Sequence, residues 1–427
     1  MDDRSARRSA KRLLDALGSL ERERLAFSEA DMAARVRVAE VMHQAHLRVA
    51  IDDAFNVVGW FDGKEQLPPL VIGSHLDTVP DPGRLDGALG VLAGVECVRE
   101  LATSVRRLRH PVAVVGFSDE EGTATRGCWG ARSVTHMLTD EEKRALTDPF
   151  APLRRTLTAA AARLAELGWS IDPLAAPEIA RLFPAAYLEL HIEQGPELDR
   201  AGVPTAAVTS IVGIDRYEVT VRGVPGHAGT VPVADRDDAV VRAAELVSRF
   251  WEYVRSLGAR AVANVGMINV RPGSFNVIPE EVWLGVEVRS PEDGVLDDMR
   301  AHLEELAGEQ GGEVELAGHD APIALGGDVR RAILESAAAL GLPCLELPSW
   351  AGHDAAVFAS LAPTGMIFVP SIDGASHCPR EATAAADIAS GIRLLSATLA
   401  RLDELVDGKD TDVKSTERRA RARGERT

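Results

Sequence analysis

Cysteine is scarce in this chain: four residues in 427 (Cys97, Cys128, Cys344, Cys378), scattered and without a Cys-x-x-Cys pair. That spacing fits neither a disulfide framework nor a zinc knuckle, and a reduced cytoplasm is the expected compartment. No apolar run approaches the length of a membrane span. The amino terminus carries Arg4, Arg7, Arg8, Lys11 and Arg12 but has no apolar segment of the signal type. Positive charge is also in deficit. At a net charge of −18, no binding to nucleic acid or to an anionic membrane surface is expected. An anionic substrate must therefore be captured by local arginines. No G-x-S-x-G elbow and no Walker A loop occurs, which removes two common catalytic signatures, and there is no internal repeat.

What is present is an ordinary globular composition, 46% hydrophobic and 26% charged, in a chain long enough for two domains. Residues 1–45 are predicted helical, with Leu13, Leu14, Leu17 and Leu20 at helical spacing. Residues 49–60 read as strand and turn, and 69–74 and 111–117 as continuous apolar strands suited to a parallel sheet. A helix is expected over 87–100 and an alanine-rich helical stretch over 140–184. The segment 187–195 (YLELHIEQG) alternates, with Leu188, Leu190 and Ile192 on one face and Glu189, His191 and Glu193 on the other.

Near residue 212 the texture changes to strictly alternating, half-buried strands and long amphipathic helices. Strand, helix, two strands, helix and strand make a small α+β layer with one sheet face free. The expected fold is therefore α/β. A larger domain (1–211 and 326–406), the one in which the ligand-type residues described next are found, has a mostly parallel mixed sheet flanked by helices. A smaller α+β lid or dimerisation domain (212–325) is inserted into it. The charged tail, 407–427, is expected to be disordered.

The chemistry concentrates where predicted strands end. Residues 71–91 (VIGSHLDTVPDPGRLDGALGV) stop a buried strand at His75 and open a helix after Asp86, and α/β enzymes place ligands at that edge of a sheet. In extended chain His75 and Asp77 point the same way, so Asp77 can hold the imidazole while its other nitrogen binds a metal. The next strand ends in Ser118-Asp119-Glu120-Glu121. Adjacent Glu120 and Glu121 point differently, so one can bind a metal while the other moves a proton. His75, Asp86, Glu121, His191 and His377 form the candidate ligand set, of types that suit hard divalent cations. Taken singly, each residue has a plainer reading. His75 can be structural, Glu120-Glu121 a solvated turn, His227 an exposed loop residue, Arg289 a surface ion-pair partner, and Asn276 a turn residue.

The motifs GSHLDTVP, LDGALGV, FSDEEG, ELHIEQGP, GHAGTVP, GSFNVIP, GHDA and SHCPRE occur in that order. Through about residue 405 the chain resembles the M20-type dinuclear metallohydrolases. Within them it resembles the amidase branch of N-carbamoyl-L-amino acid hydrolases, allantoate amidohydrolases and β-ureidopropionases. The resemblance implies that Asp86 bridges two divalent ions, one also held by His75 and His191, the other by Glu121 and His377. Zinc is the first expectation, and manganese, cobalt and nickel suit the same ligands. It further implies that Glu120 is the general base, that Asp77 orients His75, and that Gln194, His227, Asn276 and Arg289 bind substrate, with Gly352 and His353 lining the same pocket. Arg289 suits a carboxylate, and His227 and Asn276 suit the oxyanion of a tetrahedral intermediate. In relatives the histidine matching His227 reaches into the partner subunit's site, which implies a homodimer.

His191 stands where peptidase and deacylase relatives carry a carboxylate, and Gln194 offers an amide suited to a ureido group. Both favour a small ureido acid over a peptide. The implied reaction is attack of a metal-bridging hydroxide on the carbamoyl carbonyl, releasing ammonia and carbon dioxide. A metallopeptidase or N-deacylase with the same metals is the alternative, and a non-catalytic scaffold is disfavoured because no ligand or base is missing. Gly122–Arg126 and Arg380 depart from the usual pattern near the second metal.

Overall fold

Apolar runs become strands and leucine or alanine stripes become helices. The computed structural model describes residues 1–104, 107–148, 150–172 and 183–406. The tail expected to be disordered lies outside them, as do residues 173–182 of the stretch expected to be helical. Among the described residues, two compact units form: residues 1–209, 325–347 and 352 onward make one, and 210–324 with 348–351 the other.

The first unit begins with α1 (Asp3–Gly18) and α2 (Glu29–Gln44), separated by a turn that the single long helical reading did not separate. Ser28 breaks the reading physically: its hydroxyl accepts from the Asp31 N–H and caps a new helix. In α1, Ala6, Ala10, Leu13 and Leu17 form one buried stripe. There follow β1 (Arg48–Ile51), β2 (Val57–Phe61), β3 (Leu70–His75), α3 (Ala88–Thr103), β4 (Val112–Phe117), α4 (Trp129–Val134), α5 (Asp140–Thr147), α6 (Pro152–Glu166), β5 (Ala186–Ile192), α7 (Glu197–Ala201) and β6 (Thr205–Ile211).

The second unit holds β7 (Gly213–Arg222), α8 (Ala239–Leu257), β8 (Val262–Arg271), β9 (Glu281–Ser290), α9 (Asp293–Glu309), β10 (Gly312–Asp320) and β11 (Ile323–Ala324). The chain then returns through α10 (Gly327–Leu340), β12 (Cys344–Ser349), α11 (Asp354–Phe358), β13 (Thr364–Val369) and α12 (Ala385–Leu405).

The large sheet runs β1-β2-β4-β3-β5-β13-β6-β11, with β12 beside β6. Its parallel portion is the central four strands, β4-β3-β5-β13, and antiparallel pairs flank it on both sides. Every residue of those four strands is buried, which is why β3, β4 and β13 read as apolar runs while β5 alternates. On β5 the face that carries Glu189 and His191 is as buried as its apolar face, so those polar groups serve the interior. The helix α2 reaches the same sheet by a buried ion pair. Arg35 Nη2 lies 2.9 Å from Asp31 Oδ1, and Arg35 Nη1 donates to the carbonyls of Phe55, Gly116 and Phe117. The carboxyl end of β4 is thereby tied to α2.

In the second unit the sheet order is β10-β7-β9-β8, all antiparallel. Tyr217, Val219 and Val221 of β7 and Val282, Leu284, Val286 and Val288 of β9 join one core with Leu246 and Phe250 of α8 and Leu303 of α9. Strand β8 is an edge, and Val262, Met267 and Ile268 on it are exposed. No helix of the described residues is long and apolar enough to cross a membrane.

Helix α3 lies against β3 and β5 so closely that Gly90 has no room for a side chain. A Cβ there would overlap the Leu190 carbonyl oxygen and approach Ser74 Cβ to 2.9 Å. Gly90→Ala is expected to lower the stability of the fold by about 1–3 kcal/mol, although alanine is the better helix former. The check is the urea midpoint at unchanged slope.

Candidate metal centre

Parallel strands end on one edge of a sheet, and this edge gathers the polar residues. His75 is the last residue of β3, Glu120 and Glu121 follow β4, His191 lies on β5, and His377 follows β13. Asp86 precedes α3, and Gly87 at the helix start has φ +67. A Cβ on Gly87 would come within 2.5 Å of the His75 ring, so glycine there lets the Asp86 turn close onto the imidazole.

Asp86 is the hub. Its Oδ1 lies 3.4 Å from His75 Nε2 and 3.1 Å from His191 Nε2. Its Oδ2 lies 3.2 Å from His377 Nε2, and His377 Nε2 is 3.5 Å from Glu121 Oε1. Glu120 Oε2 stands 3.8 Å from His75 Nε2. Donor atoms of His75, Asp86 and His191, and again of Asp86, Glu121 and His377, lie within 4.8 Å of one another and could hold a metal ion.

The hydrogen bonds fix which ring nitrogens face inward. His75 Nδ1 is 3.0 Å from the Asp77 carbonyl and His191 Nδ1 2.9 Å from the Ile192 carbonyl. A carbonyl only accepts, so each Nδ1 carries the proton and each Nε2 offers a lone pair. The Gly87 N–H, donating to His191 Nε2 at 3.3 Å, agrees. Asp86 Oδ1 is buried with no hydrogen-bond partner. Two lone pairs and an unpartnered carboxylate oxygen facing one another call for a cation between them, and the donor set suits a divalent metal.

Protons compete for the same place. Burial opposes charging His75, but the Glu120 and Asp86 carboxylates overcome it and push the imidazole well above its usual range. The bond to Asp86 raises His377. Burial and the Asp86 charge push Glu121 up to about 7. Glu120 is driven well above the usual carboxylate range by burial and by the charges of Glu121, Asp354 and Asp77.

Asp77 does not act as its place in the sequence suggests. Its backbone carbonyl, not its carboxylate, holds His75. The carboxylate accepts the N–H groups of Glu120 at 3.1 Å and Glu121 at 3.2 Å. The reason is that β3 ends at His75, so strand alternation no longer governs where Asp77 points. Asp77 therefore positions the Glu120-Glu121 turn. Asp119, at φ +48, supports the same turn by accepting from the N–H groups of Ala124 and Thr125, which gives the departing segment 122–126 a defined loop.

Of the candidate substrate residues, Gln194, Gly352 and His353 lie on the first unit. Gln194 Nε2 donates to Asp86 Oδ2 at 2.9 Å, and its buried Oε1 has no partner. His353 packs edge-on against His191 at 4.6 Å between ring centroids, and a Cβ on Gly352 would lie 3.9 Å from Glu120 Oε1. His227, Asn276 and Arg289 lie on the second unit. There His227 bridges Val277, and the Ala228 N–H donates to the Asn276 carbonyl at 3.0 Å, so the two segments that carry these candidates run side by side. The Arg289 guanidinium is engaged by Glu287 and by the Trp350 carbonyl.

Sequence reasoning missed Glu381. Its Oε1 accepts from the Leu85 and Asp86 N–H groups at 2.7 and 3.2 Å, and its Oε2 lies 3.3 Å from Ser376 Oγ, which also donates to Asp86 Oδ2 at 3.1 Å. One carboxylate thus clamps the loops that carry Asp86 and His377. Its signal was its position in SHCPRE, four residues after His377. Glu189 was also missed as a structural centre: it accepts from Ser74 Oγ, Tyr187 OH and the Ala355 N–H, joining β3 and β5 to the start of α11.

Residues 71–401 match Peptidase family M20/M25/M40. The chain is 36% identical to the N-carbamoyl-L-amino acid amidohydrolase of Geobacillus stearothermophilus over 389 residues, 89% of this chain and 93% of that one. It is 33% identical, with the same coverage, to the N-carbamoyl-L-amino-acid amidohydrolase of Paenarthrobacter aurescens. An amidase of the hydantoinase/carbamoylase family from Burkholderia multivorans is similar in structure at a TM-score of 0.80, with 30% identity over 94% of this chain and 98% of that one.

Two outcomes follow from this geometry. Glu381→Ala should weaken divalent-ion binding roughly 10- to 100-fold in calorimetric titration, while Glu381→Gln, which keeps an acceptor oxygen, should recover most of it. Loading the metal-free protein should release protons, and affinity should fall as pH drops through the raised range of His75 and His377 and through about 7, the value of Glu121. A dye-monitored zinc titration that releases no protons at neutral pH would contradict the assignment.

Proposed function

The chain belongs to peptidase family M20/M25/M40, and on that premise we propose that it is a metal-dependent amidohydrolase of ureido acids. It cleaves the carbamoyl C–N bond of an N-carbamoyl-L-amino acid, or of a related compound such as allantoate, and releases ammonia and carbon dioxide. Asp86 carries the reading. One carboxylate with His75 and His191 near Oδ1 and His377 near Oδ2 supports a ligand that two cations would share. His75 and His191 would complete one site and Glu121 and His377 the other. Two divalent ions, zinc first, would polarise the carbonyl and lower the pKa of water.

The protein's own groups do the rest. Glu120, oriented through its N–H on Asp77, takes the proton of the attacking water and delivers it to the leaving nitrogen. Asp86 can only accept, so it fixes the Gln194 amide with nitrogen inward and leaves Oε1 as the acceptor for a ureido N–H. His353, packed on His191, and Gly352, beside Glu120, line the pocket. His227 and Asn276 supply donors for the oxyanion, and Arg289 takes the substrate carboxylate.

The first unit is the catalytic domain in this reading and the second an inserted lid and dimerisation domain. Two copies of the chain would pair through the second unit, where the edge strand β8 exposes Val262, Met267 and Ile268. Four free cysteines suit a reducing cytoplasm.

Glu120→Gln is expected to retain both ions and the fold yet lose about 10²- to 10⁴-fold in turnover. Ammonia release from N-carbamoyl-L-amino acids or allantoate by the metal-loaded protein is the direct assay. Cleavage of dipeptides with no ammonia from either ureido class would sink the proposal.

A further inference from the structure

Arg289 is not free to receive a carboxylate, because a carboxylate of the same strand already occupies it. Its Nε and Nη2 lie 2.9 and 2.8 Å from Glu287 Oε1, and its Nη1 donates to the Trp350 carbonyl at 2.6 Å. Glu287 stands two residues earlier on β9, hence on the same face of the strand. Both side chains are about one-third exposed, at 30% and 28%. Of the five N–H donors of the guanidinium, three are engaged in this way, and the edge formed by Nε and Nη2 is taken by Glu287.

Glu287 has a second cation to turn to. Its other oxygen, Oε2, accepts from Arg216 Nε at 3.1 Å across the β7–β9 pair, where Arg216 and Glu287 are directly opposite. Arg216 in turn reaches Asp320 at 3.2 Å. The ladder Asp320–Arg216–Glu287–Arg289 therefore alternates in sign. Glu287 can leave Arg289 without becoming an unpaired charge.

We infer that Glu287 is a specificity-determining residue, a built-in carboxylate that competes with the substrate's carboxylate for Arg289 and passes to Arg216 when substrate binds. The inference rests on the proposed role of Arg289. A tethered competitor acts at an effective concentration on the order of millimolar, so only a ligand whose carboxylate is held by other contacts as well displaces it. Free carboxylates that lack the ureido group are screened out, and a second negative charge on the substrate beside Arg289 is disfavoured by Glu287 itself. The side-by-side pair is partly solvated, so its strength is modest. Modest strength is what a displaceable guard requires.

The test uses the full-length, metal-loaded protein with N-carbamoyl-L-alanine and with ethylurea, which lacks the carboxylate. Glu287→Gln should lower KM for N-carbamoyl-L-alanine about fivefold, with the change in KM rather than kcat, and should leave the response to ethylurea as it was. Arg289→Met should raise KM for N-carbamoyl-L-alanine, and adding Glu287→Gln in that background should then do nothing. A KM that rises or stays constant in Glu287→Gln, while Arg289→Met raises it, overturns the guard and leaves the anchor standing. A KM indifferent to Arg289→Met removes the anchor itself, and the guard with it.

Discussion

An anion that has been taken out of water must be compensated, and Asp86 is the anion around which this centre is built. Its Oδ1 is buried without a hydrogen bond, and imidazole nitrogens approach it from two strands. Neutral imidazoles with inward lone pairs cannot satisfy it. Either protons or a cation must enter, and the surrounding backbone is arranged to favour the cation. The carbonyls of Asp77 and Ile192 hold the Nδ1 protons on the outer side of the rings. Glu381 holds the amides that place Asp86. Asp77 holds the amides that place Glu120 and Glu121.

These contacts come from loops, yet their accuracy comes from the sheet. The four central strands are parallel and wholly buried, so their carboxyl ends are brought to a common edge by packing that tolerates little adjustment. Gly90 lets α3 sit directly on that sheet, and Gly87 lets the start of the same helix meet His75. The buried Asp31–Arg35 pair extends the support outward to α2, where Arg35 takes the last carbonyls of β4. That helix precedes residue 71, where the family match begins.

Much of this was legible in the linear sequence. Apolar runs ending in His75 and in Ser118–Glu121 announced strands with chemistry at their ends, and the alternation of residues 187–195 put Glu189 and His191 on one face. What was not legible depended on the chain leaving regular structure or meeting itself at long range. Asp77 lies just past the end of β3, so the period-two argument that paired it with His75 had already lapsed. Glu381 meets Leu85 across 296 residues, and no local pattern encodes that contact. The Glu287–Arg289 pair was within reach, because alternate residues of a strand share a face, but a pattern does not say whether two such side chains ignore or bind each other.

The order in which the chain is made gives the split first unit a consequence for biogenesis. The second unit is nearly continuous, and its strands β7 to β10 can pair as soon as they leave the ribosome. The sheet of the first unit cannot close until β13 arrives beside β5, some 170 residues later, and His377 follows later still. Long-range parallel pairing of this kind is slow. The nascent polypeptide therefore passes through the long interval from His191 to His377 with His75, Asp86, Glu121 and His191 already made and their last companion missing. The full set of donor atoms that could hold metal ions therefore exists only in a nearly finished molecule.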